Sequence, residues 1–173
     1  MELWEAIQGR RSVRSFQDRP VERELLERLV EAAIWAPSGG NAQTWHFVVV
    51  TEPERLRRIK TVSPGLLGDP PAVIAVCQDL NEARIKGGEL GASFLAPVDA
   101  AMATQNILLA AYDAGLGSCV VASFHKGAVA RLLRLPEGAE PVLLVSIGWP
   151  ERVPPPPGRR RNVISFEVYD EAG

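Results

Sequence analysis

The sequence predicts an α+β fold, with helices and strands mixed along the chain. Three observations carry this expectation. Helical and extended patterns occur together along the chain without regular strand–helix–strand crossovers, which disfavours a doubly wound sheet. No G-x-G-x-x-G follows any predicted strand, so a Rossmann-type dinucleotide site is not expected. The chain has 173 residues, 46% hydrophobic and 23% charged, enough for one globular domain with a full-sized core. That domain is expected over residues 1–149, with residues 150–173 as an arm belonging to it.

Residues 2–9 read as a short first helix. Pro20-Val21-Glu22 opens a longer one, in which Leu25, Leu26, Leu29, Val30, Ala33 and Ile34 recur at helical spacing until Pro37. After a polar loop from Ser38 to Thr44, the β-branched run Trp45 to Val50 reads as a strand, and Pro53 stands at a favoured early position of a third helix. Ala72 to Cys77 reads as a second, buried strand. Residues 80–97 carry Gly87, Gly88 and Gly91 and are expected to be a mobile excursion. From Val98 to Ala114 the chain is small or apolar on nearly every side, as a helix buried all round requires. Gly115 and Gly117 end it, Cys119 to Ala122 gives a third strand, and Ser123 caps a short helix through Leu133. Pro141 to Gly148 supplies a fourth strand, and Val163 to Val168 is a candidate fifth. Four consecutive prolines, Pro154 to Pro157, stiffen the arm and direct it away from the body of the domain.

Composition narrows the function classes. With 19 basic against 21 acidic residues the formal charge is -2, so no global field draws the chain onto nucleic acid or an anionic membrane. No uninterrupted apolar run approaches the ~20 residues of a membrane span. The acidic start Met1-Glu2-Leu3-Trp4-Glu5 does not resemble a secretory signal, and a cytoplasmic protein is expected. Cys77 and Cys119 lie in apolar runs without a C-x-x-C partner and read as buried thiols, not as a disulfide or metal site. The histidines, His46 in a strand and His125 beside a helix start, read as surface or packed residues, and no metal site or hydrolytic triad is expected.

Three segments can carry chemistry. Arg10-Arg11-Ser12-Val13-Arg14 follows the first helix; its guanidiniums and hydroxyl can hold a phosphate, or form a solvated loop of surface ion pairs. The segment Pro37-Ser38-Gly39-Gly40-Asn41-Ala42-Gln43 lies between a helix stop and a strand. Its glycines permit close approach and its polar side chains suit a flat ligand, although a helix stop and turn would need the same residues. The third is Arg159-Arg160-Arg161, at the end of the proline arm, which read alone is a basic turn.

Together and in this order, these segments resemble the nitroreductase family of FMN-dependent oxidoreductases. The resemblance rests on Arg10 to Phe16, on Ala32-Ala33-Ile34-Trp35-Ala36-Pro37-Ser38-Gly39-Gly40-Asn41-Ala42-Gln43-Thr44-Trp45, on Gln105 to Ala111 with Gly115-Leu116-Gly117, and on Ile147-Gly148-Trp149-Pro150 before the basic arm. It spans essentially the whole chain. Thr44 and Asn162 stand where family members most often have Pro, and neither is an expected ligand contact.

The resemblance implies that Arg10, Arg11, Ser12 and Arg14 hold the FMN phosphate and ribityl chain, joined by Arg160 or Arg161 from the arm. It implies a mixed, mostly antiparallel central sheet flanked by helices, and a homodimer with shared active sites, in which Pro37, Ser38, Gly39, Asn41 and Gln43 reach the flavin of the partner subunit, the 98–114 helix forms much of the interface and the 150–173 dimerisation arm extends onto the partner subunit. Val121, Ala122 and Ser123 match the flavin N5 edge, and Arg14 is the positive neighbour for charge on the reduced ring. The implied reaction is ping-pong: NAD(P)H delivers hydride, and an electron-poor small molecule such as a nitroaromatic or quinone takes it up. No catalytic side chain is obligatory. Val121 and Ala122 offer no hydroxyl at that edge, unlike a related dehalogenating branch, so two-electron hydride chemistry is expected. Residues 80–97 are the expected lid and source of selectivity. The same fold also serves dehalogenation, enal or aldehyde reduction and flavin breakdown, or binds flavin without turnover.

Overall fold

The computed structural model describes residues 2–161 and 163–169. The Asn162 position, Met1 and residues 170–173 of the expected arm lie outside the described residues. The elements run α1 (Leu3–Gly9), α2 (Arg23–Ile34), β1 (Trp45–Val50), α3 (Pro53–Thr61), β2 (Ala72–Asp79), α4 (Leu80–Leu90), α5 (Ala96–Asp113), β3 (Gly117–Val121), α6 (Lys126–Leu133) and β4 (Ala139–Gly148). A 3-10 turn, Gly39–Asn41, precedes β1, and a π-helical turn, Gly91–Leu95, joins α4 to α5.

The strands form one sheet in the order β1-β2-β4-β3, antiparallel at every pairing. The only parallel element among the described residues is an isolated bridge, Ser12 to Ser118. Alternation along β2 gives the sheet two buried faces. Ala72, Ile74 and Val76 pack with Val145, Ile147, the α2 residues Leu26, Leu29 and Ala33, and the α5 residues Ala100, Ala103 and Ile107. Val73, Ala75 and Cys77 face the other way, onto Ile59 of α3, Val129 of α6, Val121 and Leu144. The α+β expectation therefore takes the form of helix, sheet and helix layers, with β1 and β3 on opposite edges. Register slips between Val76 and Cys77, where β4 presents Pro141, a residue without an N–H for the ladder.

Both cysteines are buried and free, and desolvation pushes the Cys77 thiol up to about 12. The Val98 to Ala114 prediction corresponds to α5, which is a core helix within one chain. Ala100, Ala103, Thr104, Ile107 and Ala111 face the interior, while Val98, Ala101 and Gln105 form an exposed stripe. Taken together Leu80–Asp113 is a helical run of 34 residues, long and apolar enough to cross a membrane by length and composition alone. Its α5 part packs on the sheet through Ala100, Ala103, Ile107, Leu108 and Ala111, as a core helix does.

Three expectations need correction. Residues 80–97 are helical, not an irregular excursion. Asp79 caps α4 by accepting from the Glu82 N–H at 2.9 Å, and Lys86–Glu82 and Arg84–Glu89 pairs line it. Of its glycines only Gly88, at φ +62°, breaks the helix, while Gly91 lies against the Ala83 carbonyl where a Cβ would collide. The helix cap before α6 is His125, whose Nδ1 accepts from the Ala128 N–H at 3.2 Å, and not Ser123. Among the described residues, Val163 to Val168 forms no strand. It has no ladder neighbour among the described residues, and Glu167 bends it at φ +66°.

Candidate functional site

The arginine loop is fastened to the edge strand β3. Gly9 ends α1 against Tyr112 of α5, where any Cβ would strike the phenol ring. The Arg11 guanidinium turns back on the helix, donating from Nη1 to the carbonyls of Gln8 at 2.6 Å, Gly9 at 2.8 Å and Arg10 at 2.9 Å. Such a cation at a helix C-terminus satisfies carbonyls that have no partner within the helix. Ser12 then bridges to Ser118, the Val13 N–H donates to the Ser118 carbonyl at 3.0 Å, and bare Gly117 leaves room for Val13. Arg14 donates to the Ser12 carbonyl at 3.4 Å. A cavity of about 200 Å³ opens here, lined by Arg10, Arg11, Tyr112, Ser118, Pro150 and Val153. None of the ion pairs between described residues uses Arg10, Arg11 or Arg14. Guanidiniums left without carboxylates beside a serine hydroxyl are a donor set suited to a phosphate.

From this loop a strap leads to the far end of β3. Gly68, at φ +72°, lies so close to the Arg14 carbonyl that a Cβ would overlap it. Gly65 donates its N–H to the Ser123 carbonyl at 3.0 Å, and a Cβ there would stand 3.1 Å from both Ser123 and Val121. The 63–68 turn thus joins Arg14 to the Val121, Ala122 and Ser123 segment, in which Val121 is buried and the other two are exposed. Sequence reasoning missed this strap. The available signal was the pattern Ser63-Pro64-Gly65 and Gly68-Asp69-Pro70-Pro71, a dense run of turn residues between a helix and a strand.

The Pro37 to Gln43 loop sits ahead of β1, on the opposite edge. Gly40, Asn41 and Gln43 all have positive φ, at 58°, 56° and 50°. For the two non-glycine residues that conformation costs about 1 kcal/mol or more each and persists only where surroundings impose it. Here they do. Ser38 Oγ accepts from the Gln43 N–H at 3.1 Å, Lys86 donates to the Ala42 carbonyl at 2.7 Å, and the Gly39 N–H donates to both oxygens of Asp99 at 3.1 and 3.2 Å. Asp99 is only 2% exposed, and burial holds its carboxyl above the ordinary range against the opposing pull of the Gly39 N–H. Thr44 is buried, donating to Gln78, whose amide donates to the Ala96 carbonyl. Asn41 and Gln43 are left exposed at the tip.

The arm leaves next to the arginine loop. The Glu151 N–H donates to the Ser15 carbonyl at 3.0 Å, the Ser15 hydroxyl donates to the Glu151 carboxylate at 2.6 Å, and Phe16 bridges Pro150. Gly148 admits Phe16 and Pro71 where a Cβ would be 2.6 to 2.9 Å from them, and Trp149 carries the Arg19 guanidinium 3.8 Å from its ring centre. Beyond Pro157, Arg159, Arg160 and Arg161 are exposed, and no described hydrogen bond joins them to the arginine loop. Val163, Ile164, Phe166, Val168 and Tyr169 are exposed too, the last at 90%.

A larger cavity, about 500 Å³, lies between the Gln17 to Val21 segment, α3 and residues 66–71. It contains none of the predicted site residues. Its cations Arg19, Arg57 and Lys60 are paired with Glu22, Glu54 and Asp69, which leaves no unpaired cation in that lining to hold a phosphate.

The layered fold, with an anion-suited loop on one sheet edge and a strained polar loop on the other, defines an α+β protein of the nitroreductase type. The family model described as the nitroreductase family matches residues 7–64 and 58–149. The chain belongs to that family of oxidoreductases. A Methanothermobacter thermautotrophicus protein named "Putative NADH dehydrogenase/NAD(P)H nitroreductase" is 35% identical over 160 residues, covering 89% of this chain and 80% of that protein. A Bacillus subtilis protein named FMN reductase (NAD(P)H) is 28% identical over 164 residues, covering 86% of this chain and 66% of its own. The crystal structure of a Parabacteroides distasonis protein bearing the same name as the first superposes with a TM-score of 0.84 at 30% identity, covering 96% of this chain and 98% of that one.

Proposed function

We propose that this protein is an NAD(P)H-dependent FMN oxidoreductase that reduces electron-poor small molecules such as nitroaromatics or quinones, with each active site assembled from two chains. The observation that carries the reading is the uncompensated arginine loop on β3. A phosphate dianion would satisfy Arg10, Arg11, Ser12 and Arg14 at once, and the chemistry of that donor set fits FMN. The name of the Bacillus subtilis relative supports the same cofactor and reductant. Arg160 or Arg161 from the arm would add to the phosphate contacts.

The Pro37, Ser38, Gly39, Asn41 and Gln43 loop lies beyond the other edge strand, so within one chain it is separated from the arginine loop by at least the width of the sheet, about 14 Å. A second copy of the chain would bring the two together. The exposed stripe of α5, the apolar α1 residues Leu3 and Trp4 and the exposed Val163, Ile164, Phe166, Val168 and Tyr169 of the arm offer surface for that association. Val121, Ala122 and Ser123 would border the reactive edge of the ring, with Arg14 placed to favour negative charge on the reduced ring. FMN held there by Arg10, Arg11, Ser12 and Arg14 would supply the hydride-transfer chemistry between NAD(P)H and the acceptor, in a ping-pong order. The protein's own residues would bind and orient, and residues 80–97 would cover the acceptor.

Purified protein should be yellow and release FMN on denaturation. Its visible absorbance should bleach anaerobically with NADH or NADPH and return on adding a quinone. Replacing Arg10 and Arg11 together with Ala should weaken FMN binding at least a hundredfold. Unchanged affinity in that variant would remove the phosphate assignment, and bound flavin that no nicotinamide bleaches would leave a carrier instead of an enzyme.

A further inference from the structure

We propose that Asp99 is a positioning residue for the oxidoreductase reaction: from the core helix α5 it clamps the Pro37 to Gln43 loop in the conformation that presents Asn41 and Gln43 to the ligand. The proposal rests on the flavin reading above. Its geometry is independent of that reading. Asp99 is sixty positions from Gly39, nearly fully buried, and directs both carboxylate oxygens at one backbone N–H. A carboxylate removed from water for a single neutral donor is a poor stability device. It is a good way to fix a loop from a rigid element.

The loop needs fixing from outside, because residues 40, 41 and 43 are all left-handed and two of them are not glycine. The other fastenings act elsewhere. Ser38 Oγ and the Gln43 N–H close the loop on itself, and Lys86 reaches the Ala42 carbonyl from exposed α4. Asp99 alone among the described hydrogen-bond partners ties the start of the loop to the sheet-packed helix. The small cleft between them is lined by Gly39, Thr44, Lys86, Leu95 and Ala96, and Lys86 is the one other charged side chain in that lining.

The test compares full-length wild type, Asp99→Ala and Asp99→Asn. An asparagine carbonyl can still accept from the Gly39 N–H, whereas alanine leaves that donor empty. Each protein is stripped of flavin, checked for folding by circular dichroism and thermal midpoint, and titrated with FMN by fluorescence. The visible circular dichroism of the bound flavin is then recorded, with KM and kcat measured separately. Asp99→Ala is expected to lose at least tenfold in FMN affinity, to alter the visible dichroism and to raise the acceptor KM more than it lowers kcat. Asp99→Asn is expected to match wild type within about twofold. Asp99→Val, which fills the site without an acceptor, replaces the alanine variant if that fails to fold, with the same losses expected.

Wild-type affinity and dichroism in Asp99→Ala or Asp99→Val would overturn the proposal, as would an asparagine variant as damaged as alanine. Wild type that binds no FMN would instead sink the flavin reading on which the proposal stands.

Discussion

Arg10 and Arg11 are adjacent in the chain and do different work. Arg11 donates to carbonyls at the end of α1, so part of its role is to close that helix. Arg10 lines the same cavity with no described hydrogen bond of its own side chain to the protein. Arg11→Ala alone is therefore expected to destabilise the flavin-free protein by about 1 kcal/mol, the usual size for lost capping bonds. Arg10→Ala should change flavin-free stability by less than about 0.5 kcal/mol and still weaken FMN binding at least tenfold. Chemical denaturation of the two flavin-free variants separates them, and equal stabilities would contradict the capping geometry. The sequence showed both arginines as one cluster because residue type and spacing do not reveal which guanidinium is already occupied by backbone.

At the scale of elements, the 63–68 strap shows how glycine acts through packing as well as through φ. Gly68 is left-handed and also lies against the Arg14 carbonyl, whereas Gly40 is left-handed with nothing within 4 Å of its missing Cβ. Gly40→Ala should then cost only the conformational term, about 1 kcal/mol. Gly68→Ala should cost about 2 to 3 kcal/mol, because the backbone of the arginine loop must move as well. It should also loosen FMN, and that second effect is read by titration. Equal costs at the two positions would show that the strap does not support Arg14. The same scale explains the misreading of residues 80–97. Local glycines signal interruption, but the Asp79 cap, the ion pairs along α4 and its junction with α5 hold the segment helical around a single break at Gly88.

For the whole molecule, the strand order β1-β2-β4-β3 decides how a site can be built. With the two candidate loops on opposite edges, each site of a dimer would take its arginine loop from one chain and its Asn41–Gln43 tip from the other. Mixed dimers test this. If Arg10 and Arg11 are replaced in one chain and Asp99→Ala is placed in the other, one of the two sites receives both defects and the other receives none. Differently tagged, co-purified heterodimers should thus recover about half the wild-type FMN binding, well above either parent. Heterodimers no better than the parents, or a native mass equal to one chain, would place each site within a single subunit.

The amino-acid sequence by itself determined the family, the α+β class, the approximate extents of α1, α2, α5 and the four strands, the start of α3, and the segments where a phosphate and a flat ligand are expected. These are legible because they depend on short-range matters: hydrophobic period, turn residues, and motifs whose members lie within a few positions of one another. The tertiary structure alone decided that Thr44 and Gln78 form a buried polar pair, that Gly65 and Gly68 bind the arginine loop to the end of β3, and that Asp99 holds a loop sixty residues away. It also decided that the two candidate loops belong to opposite edges of one sheet. Each of these depends on pairings between distant parts of the chain. An aspartate inside an apolar helix shows its purpose only when packing brings a backbone N–H to it and excludes the water that would otherwise do the same.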